Sequence, residues 1–335
     1  MDTATHFVMG LGLAGLSFVD PLVASNGTLA GAVMVATVLA SQAPDADTAL
    51  RLKDNAVYIR NHRGDHPFPA LFLLLWPALI TVVIGPLFGF TDLSTLSHIA
   101  LWSFIGVAVH VFSDLFNTYG TQAARPFTEK WIAWNIIHIF DPFIFGSHAA
   151  AIILWISGMV PPAPLFVTLY ACIVLYYIWR TLVHARITRS IKNKDVHHHA
   201  GDRYYVIPTI SPTRWNVVKA KPDGSYNVGL LNSGRLEWFK HAVCSTHPAV
   251  EYSKSHPDIQ SFLYFTSYAV AEVEELPSGY IVRWGDVRYL HRKQFPFVAV
   301  LVMDHEYRPL NTYVGWLSSE KLDERFAIDP GTVKL

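Results

Sequence analysis

Histidine and aspartate recur in this chain at spacings that a helix turns into pairs. Asp2 and His6 are four residues apart, and so are His110 and Asp114, with Asn117 three further on. Residues i and i+4 share one helical face. Pro44, Asp45 and Asp47 lie in a PDAD run, His62, Arg63, Asp65 and His66 form a second dense group, and His138 and Asp141 follow later. Imidazole and carboxylate together suit zinc, manganese or iron. One His-x-x-x-Asp turn can present two ligands to one ion or to a pair of ions, and such ions activate water against a phosphoryl group. Taken singly, each motif has a plainer reading. His-x-x-x-Asp is commonly just an (i, i+4) hydrogen bond, Asp45 and Asp47 can cap a helix, and Arg63 can anchor topology.

The elements that must carry these residues are apolar. The chain has 335 residues, 26 basic and 26 acidic side chains, 51% hydrophobic residues and only 16% charged ones. An ordinary soluble domain carries about 25% charge. Zero net charge offers nothing to a nucleic-acid partner. The two cysteines, Cys172 and Cys244, form no metal motif. The deficit is local. Residues 66–116 hold no Lys or Arg, and Phe143 to Trp179 hold no charged residue. The composition turns ordinary only after about residue 195.

A membrane helix needs about 20 mostly apolar residues. Segments 68–90, 96–116 and 163–184 qualify, 143–160 is slightly short, and 4–19 and 28–43 are short and rich in Gly and Ala. The expected fold is an α-helical multi-pass membrane domain of about six segments, the first two short, over 1–194. A small α+β or mostly β cytoplasmic domain follows over 195–335. Lys and Arg of the first 194 residues fall in three clusters, around 51–63, 125–130 and 180–194, and the intervening connections have none. The positive-inside rule makes the clusters, the N-terminus and the C-terminal domain cytoplasmic. This topology, set from Lys and Arg alone, also gathers Asp2, His6, Asp45, Asp47, His62, His66, His110, Asp114, Asn117 and Asp141 at cytoplasmic helix ends. Ionisable groups near a membrane are costly, so their gathering at one face points to a site. Asp20, Asp92 and His98 fall on the other side. Asp20 and Asp92 read as solvated turn residues, and His98 and His148 as packed or hydrogen-bonded histidines.

The stretches DTATHFVMG (2–10), SQAPDADT (41–48), NAVYIRNHRG (55–64), HVFSDLFNTYGTQAARPF (110–127) and FDPFIFGSH (140–148) resemble the YdjM/YfhP-type family of bacterial membrane-bound metal-dependent hydrolases. FPFVAVLV (295–302) and YVGW (313–316) extend the resemblance to the longer YfhP type. The resemblance implies metal-ligand roles for His6, Asp45, His62, His110 and Asp114, with Arg63 and Asn117 beside them. The chain departs from the family at HRGDHPF, where three residues rather than four separate His62 from His66 and the usual Thr and Ser are absent. Asp65 or His66 can compensate.

In the C-terminal region, 214–219, 225–231, 279–284, 286–291 and 296–303 read as strands, with Asp223-Gly224 as a hairpin turn. A helix is expected over 257–275 through Phe262, Phe265 and Ala269. No catalytic constellation stands out there; docking or regulation is the expected role, with substrate gating second.

The expected function is metal-dependent hydrolysis of an ester or phosphoester, lipid or lipid-linked, at the cytoplasmic face of a bacterial inner membrane. A divalent metal, zinc first and manganese or iron after it, is the expected cofactor. Asp45, Asp47 and Arg63 are the catalytic candidates. Asp2, Asp65, His66, Asn117, His138 and Asp141 form an outer set. The lipid bilayer and a lipid or phosphoester substrate are the expected partners, with no nucleic acid, and the sequence does not set the oligomeric state. The competing reading is a non-enzymatic membrane metal sensor, regulator or transporter with a cytoplasmic output domain.

Overall fold

A computed structural model describes residues 1–46, 69–123, 127–128, 130–290 and 294–317, with side chains from 73 onward in the first helix of the second stretch. The chain divides into two compact units.

The first unit is helical. Its elements are α1 (Thr3–Leu16), a 3₁₀ turn (Ser17–Val19), α2 (Pro21–Ser25), α3 (Gly27–Gln42), α4 (Pro69–Leu87), α5 (Leu93–Phe116), α6 (Pro142–Ile156) and α7 (Pro162–Lys194). The unit includes α7 as far as Arg186, together with Pro208–Pro212. Six apolar helices thus occupy the six expected segments. A 3₁₀ turn prolongs α3 to Ala46, making 20 residues, so this segment is longer than its sequence first indicates. Gly27–Ala46, Leu93–Phe116 and Pro162–Lys194 are long and apolar enough to cross a membrane, and Thr3–Val19, Leu73–Leu87 and Pro142–Ile156 are shorter apolar helices.

Short polar side chains start most of these helices. Asp2 accepts from the amides of Ala4 (3.0 Å) and Thr5 (3.1 Å), Asn26 from Thr28 and Leu29 (both 3.1 Å), and Asp92 from Thr95 (2.8 Å). Asp141 accepts from Phe143 (2.9 Å) and Ile144 (3.2 Å), with Pro142 opening the helix. Such caps satisfy amides that the first turn leaves free. Asp20, expected to be solvated, caps α2 and is 2.5 Å from His98 Nδ1, so it is a paired residue of the helix ends.

Small residues let α3 sit close against both neighbours. A Cβ on Gly10 of α1 would lie 2.4 Å from Ser41 Oγ and 2.9 Å from Val38 Cα. A Cβ on Gly106 of α5 would lie 2.8 Å from Ala40 Cβ. Val33, Ala36 and Ala40 of α3 are fully buried with Ile99 and Val107 of α5.

The second unit holds the end of α7 from Ile187 and two four-stranded sheets. One runs in the order β1 (Arg203–Pro208), β2 (Arg214–Ala220), β3 (Tyr226–Asn232), β4 (Arg235–Ala242). The helices α8 (Pro248–Ser253) and α9 (Pro257–Phe265) follow, and then the sheet β5 (Ala269–Leu276), β6 (Gly279–Asp286), β7 (Phe297–Met303), β8 (Pro309–Trp316). The Asp223-Gly224 turn forms as expected, with Gly224 at φ +81° and Asp223 accepting from the Ser225 amide at 2.9 Å. Two expectations change. The helix expected over 257–275 stops at Phe265, and 269–276 is strand β5, paired with β6 across Pro277-Ser278 in the register Leu276↔Gly279. Edge-to-edge pairing with β6 outweighs the weak helical periodicity of this stretch. The strand expected at 279–284 is β6, which runs on to Asp286, and the second strand expected at 286–291 does not form, residues 287–290 being a turn and loop.

Candidate metal centre

Three helices deliver the candidate ligands to one place. His6 lies in the first turn of α1, Asp45 on the 3₁₀ turn that prolongs α3, and His110 and Asp114 in the last two turns of α5. The close approaches at Gly10 and Gly106 lie one turn from His6 and His110, which explains why α1 and α5 bring their imidazoles together across α3. The two rings stack with centroids 3.7 Å apart and planes 16° off parallel. Donor atoms of His6, Asp45 and His110 lie within 4.8 Å of one another.

The nearest donors are closer still. His110 Nε2 is 3.6 Å from Asp45 Oδ1 and 3.4 Å from Asp114 Oδ2, and His6 Nε2 is 3.4 Å from Asp114 Oδ1. Four ligands at zinc bond lengths of about 2.0–2.1 Å stand about 3.3 Å apart at the corners of a tetrahedron, so this spacing suits a first-row ion. The imidazoles are 1% and 2% exposed and the carboxylates 17% and 21%, which makes a buried nitrogen floor under a partly open oxygen rim.

The supporting bonds aim the ligands. Ser41 O accepts from His110 Nδ1 at 2.7 Å. A carbonyl only accepts, so the proton is on Nδ1 and the Nε2 lone pair faces the carboxylates, as metal-binding histidines require. Asn117 Nδ2 donates to Asp114 Oδ1 at 3.0 Å while its Oδ1 accepts from the Gly120 amide at 2.8 Å. That fixes Asp114 to the loop after α5. His6 Nδ1 is buried without a hydrogen-bond partner among the described residues. The Met1 ammonium sits between His6 Nε2, at 2.9 Å, and Asp114 Oδ1. The two imidazoles and two carboxylates are donors of the kind that hold a divalent metal.

Of the remaining candidates, Asp2 caps α1, and Asp141 caps α6 with its other oxygen accepting from Tyr176 Oη at 2.7 Å. His138 turns back on its own loop, its Nδ1 2.8 Å from Phe140 O. Their polar atoms are engaged locally and are not gathered with His6 and His110. Asp47, His62, Arg63, Asp65 and His66 lie outside the described residues. His148 packs as expected, with Nδ1 donating to Ile144 O at 2.7 Å. Sequence reasoning missed the Ser41 carbonyl. No side chain marks it, and only the small residues Gly10 and Gly106 flanking α3 hint that this backbone comes close to His110.

Known proteins resemble this chain over both of its regions. Residues 1–187 match the family model described as YdjM inner membrane protein, and residues 248–326 match the YfhP C-terminal alpha/beta plait domain. The chain is 39% identical over 333 residues, 98% of its length and 99% of the relative's, to "Uncharacterized protein YfhP" of Bacillus subtilis (strain 168). No solved structure matches it. A helical N-terminal unit with membrane-length helices, a His/Asp cluster able to hold a metal, and an alpha/beta plait region after it together place this chain in the YdjM inner membrane protein family, in the form that carries the YfhP C-terminal domain.

Proposed function

We propose that this chain is a membrane-embedded, metal-dependent hydrolase that cleaves an ester or phosphoester at the cytoplasmic membrane face. The observation that carries this reading is the convergence of His6, Asp45 and His110 from three separate helices. Two stacked imidazoles and two carboxylates meet there, with the His110 Nε2 lone pair facing the carboxylates.

His6, Asp45, His110 and Asp114 would hold the metal, with His62 added from outside the described residues. A divalent ion there, zinc ahead of manganese or iron, would supply Lewis acidity toward water and toward the substrate oxygen. The protein's own groups do the rest. The Ser41 carbonyl fixes the His110 tautomer, and Asn117 holds Asp114 at its working angle. Asp45, 21% exposed at the rim, or Asp47 would take a proton from an attacking water or bridge to the metal. Arg63 would pair with an anionic substrate group. The segregation of Lys and Arg supports a cytoplasmic N-terminus and a cytoplasmic β unit.

Purified full-length protein should retain about one divalent ion or two per chain. It should hydrolyse bis(4-nitrophenyl) phosphate, and the His110→Ala protein should lose both properties. Absence of a bound metal under every loading condition overturns the reading. Metal retention without hydrolysis of any ester moves the assignment to a metal sensor.

A further inference from the structure

A groove of about 550 Å³ runs between α6 and α7 within the helical unit. Its floor and walls come from Ser147, Ala151 and Leu154 of α6 and Leu165, Thr168 and Cys172 of α7. Small side chains on α6 open it. The two hydroxyls do not make it polar, because Ser147 Oγ donates to Ile144 O at 3.2 Å and Thr168 Oγ1 to Pro164 O at 2.8 Å, each inside its own helix. Whatever lies in the groove meets an apolar surface.

The ends of the groove differ. At one end Phe143 stacks on Tyr176 with centroids 4.4 Å apart, and Tyr176 Oη donates to Asp141. Trp179, 47% exposed, follows one turn on. Half-exposed Tyr and Trp side chains of this kind mark the headgroup level of a bilayer. The next residue, Tyr177, reaches Met1 Sδ at 3.7 Å, and the Met1 ammonium lies among the candidate ligands, so this is the end nearest the metal centre. From Phe143 to Leu154 the groove follows α6 for about 16 Å, at 1.5 Å per residue. One leaflet of a hydrocarbon core of about 30 Å is about 15 Å deep. Beside the groove the same helices carry exposed apolar side chains, Ile153 67%, Val174 57% and Leu175 65% exposed, the kind of surface that lipid covers in a membrane chain.

We propose that this groove holds one acyl chain of a membrane lipid, with the lipid's ester or phosphoester headgroup held at the Phe143–Tyr176 end, on the side of the His6/His110 centre. The proposal deepens the hydrolase reading and rests on it for the word substrate. The acyl site itself stands on the groove's length, chemistry and position. A water-soluble substrate would leave an apolar slot of one-leaflet depth without a use, whereas a lipid needs one to raise its headgroup from the bilayer to a fixed site.

The test uses full-length protein in phosphatidylglycerol vesicles doped with a phosphatidylglycerol that carries a diazirine on its acyl chain. Photolysis and peptide mapping should concentrate label on 143–154 and 165–172. Ala151→Leu and Cys172→Leu, which narrow the groove from opposite walls, should each cut that label at least about fivefold. Val174→Phe, on the flank outside the groove, should leave it unchanged. The His110→Ala protein should label like the wild type, since the groove does not depend on the metal. Label spread evenly over both flanks, or a groove signal indifferent to both narrowing variants, overturns the proposal. So does an intermolecular Cys172–Cys172 crosslink that displaces the lipid label, because a second copy is then the occupant. Bis(4-nitrophenyl) phosphate hydrolysis by the wild type judges the hydrolase reading separately. Groove labelling without hydrolysis leaves a lipid-binding protein, and hydrolysis without groove labelling removes the acyl site alone.

Discussion

Histidine and aspartate serve opposite ends in the two units of this chain. In the helical unit His6 and His110 are stacked and buried, their Nε2 atoms turned toward Asp45 and Asp114. In the β unit His247 and His256 sit at helix starts, where their Nδ1 atoms accept from the amides of Ala249 (3.1 Å) and Asp258 (3.3 Å). Aspartate shows the same split. Asp195 in the β unit is matched on every side by donors: Lys219 Nζ at 2.7 Å, Tyr204 Oη at 2.7 Å, Trp238 Nε1 at 3.1 Å and the His197 amide at 3.0 Å. Burial penalises its charge, but these hydrogen bonds, Lys219's first, outweigh that penalty and hold its carboxyl down at about 2. A buried polar group with its own donors is structural, whereas one that faces other acceptors calls for a cation. By that measure Asp195 is structural, whereas the His6/Asp45/His110 cluster is one that could hold a metal ion.

The sharpest way to break the contrast is His110→Ala. It removes a nitrogen of the candidate ligand set, and phosphodiester hydrolysis should fall by at least about a thousandfold. Metal content, read by plasma mass spectrometry, should fall with it, while Lys219→Met leaves metal content intact.

Lys219→Met attacks the other side of the comparison. Asp195 and Asp202 would then lie buried without their cation, and removing one partner of a buried pair costs about 3–5 kcal/mol. Urea unfolding of the β unit, followed by Trp238 fluorescence, should show this, with replacement of both Asp195 and Lys219 by apolar residues far milder.

Acid gives a milder form of the same experiment. The folded-state pKa of Asp195, about 2, lies below its unfolded value, so its contribution is complete above pH 4 and is lost as pH falls toward 2. The shift from 3.8 is worth about 2 kcal/mol. Wild-type stability should drop by that amount between pH 5 and 2, and the Asp195→Asn protein, already weaker, should show a flatter profile.

Asn117→Ala asks whether the ligands are held or merely near one another. Loss of its bond to Asp114 should weaken metal affinity about 10- to 100-fold without unfolding the helical unit, and Asn117→Gln should fail to rescue it because its longer side chain misplaces the amide. An unchanged affinity, measured by competition with a chelating dye, would reduce Asn117 to a helix-end residue. His247→Ala is the smallest change. It removes a cap worth about 1 kcal/mol and should leave metal content untouched.

Much of the helical unit was legible because hydropathy adds up along the chain. The segments 68–90, 96–116 and 163–184 need no partner to be recognised, and α4, α5 and α7 lie on them. The pool of ligands was legible from spacing, since His110 and Asp114 must share a face on any helix. Which members of the pool meet was not. Asp2 and Asp141 have the same chemistry as Asp45, yet they close helix starts, because a residue just before a proline or an apolar run sits where free amides point. In the β unit the Asp223-Gly224 hairpin was legible from its turn, whereas β5 was not, because its partner β6 decides it.

Composition and spacing by themselves determined that this is a membrane chain with a reserve of His and Asp at helical spacing, since both follow from one-dimensional periodicity and from the cost of charge in lipid. Only the tertiary structure decided that His6 of α1 stacks on His110 of α5, that the Ser41 carbonyl sets the tautomer, and that a groove opens between α6 and α7. Those are contacts between helices whose approach depends on small residues at Gly10, Gly106 and Ala151, and close packing is a property of pairs of surfaces that no single stretch of sequence contains.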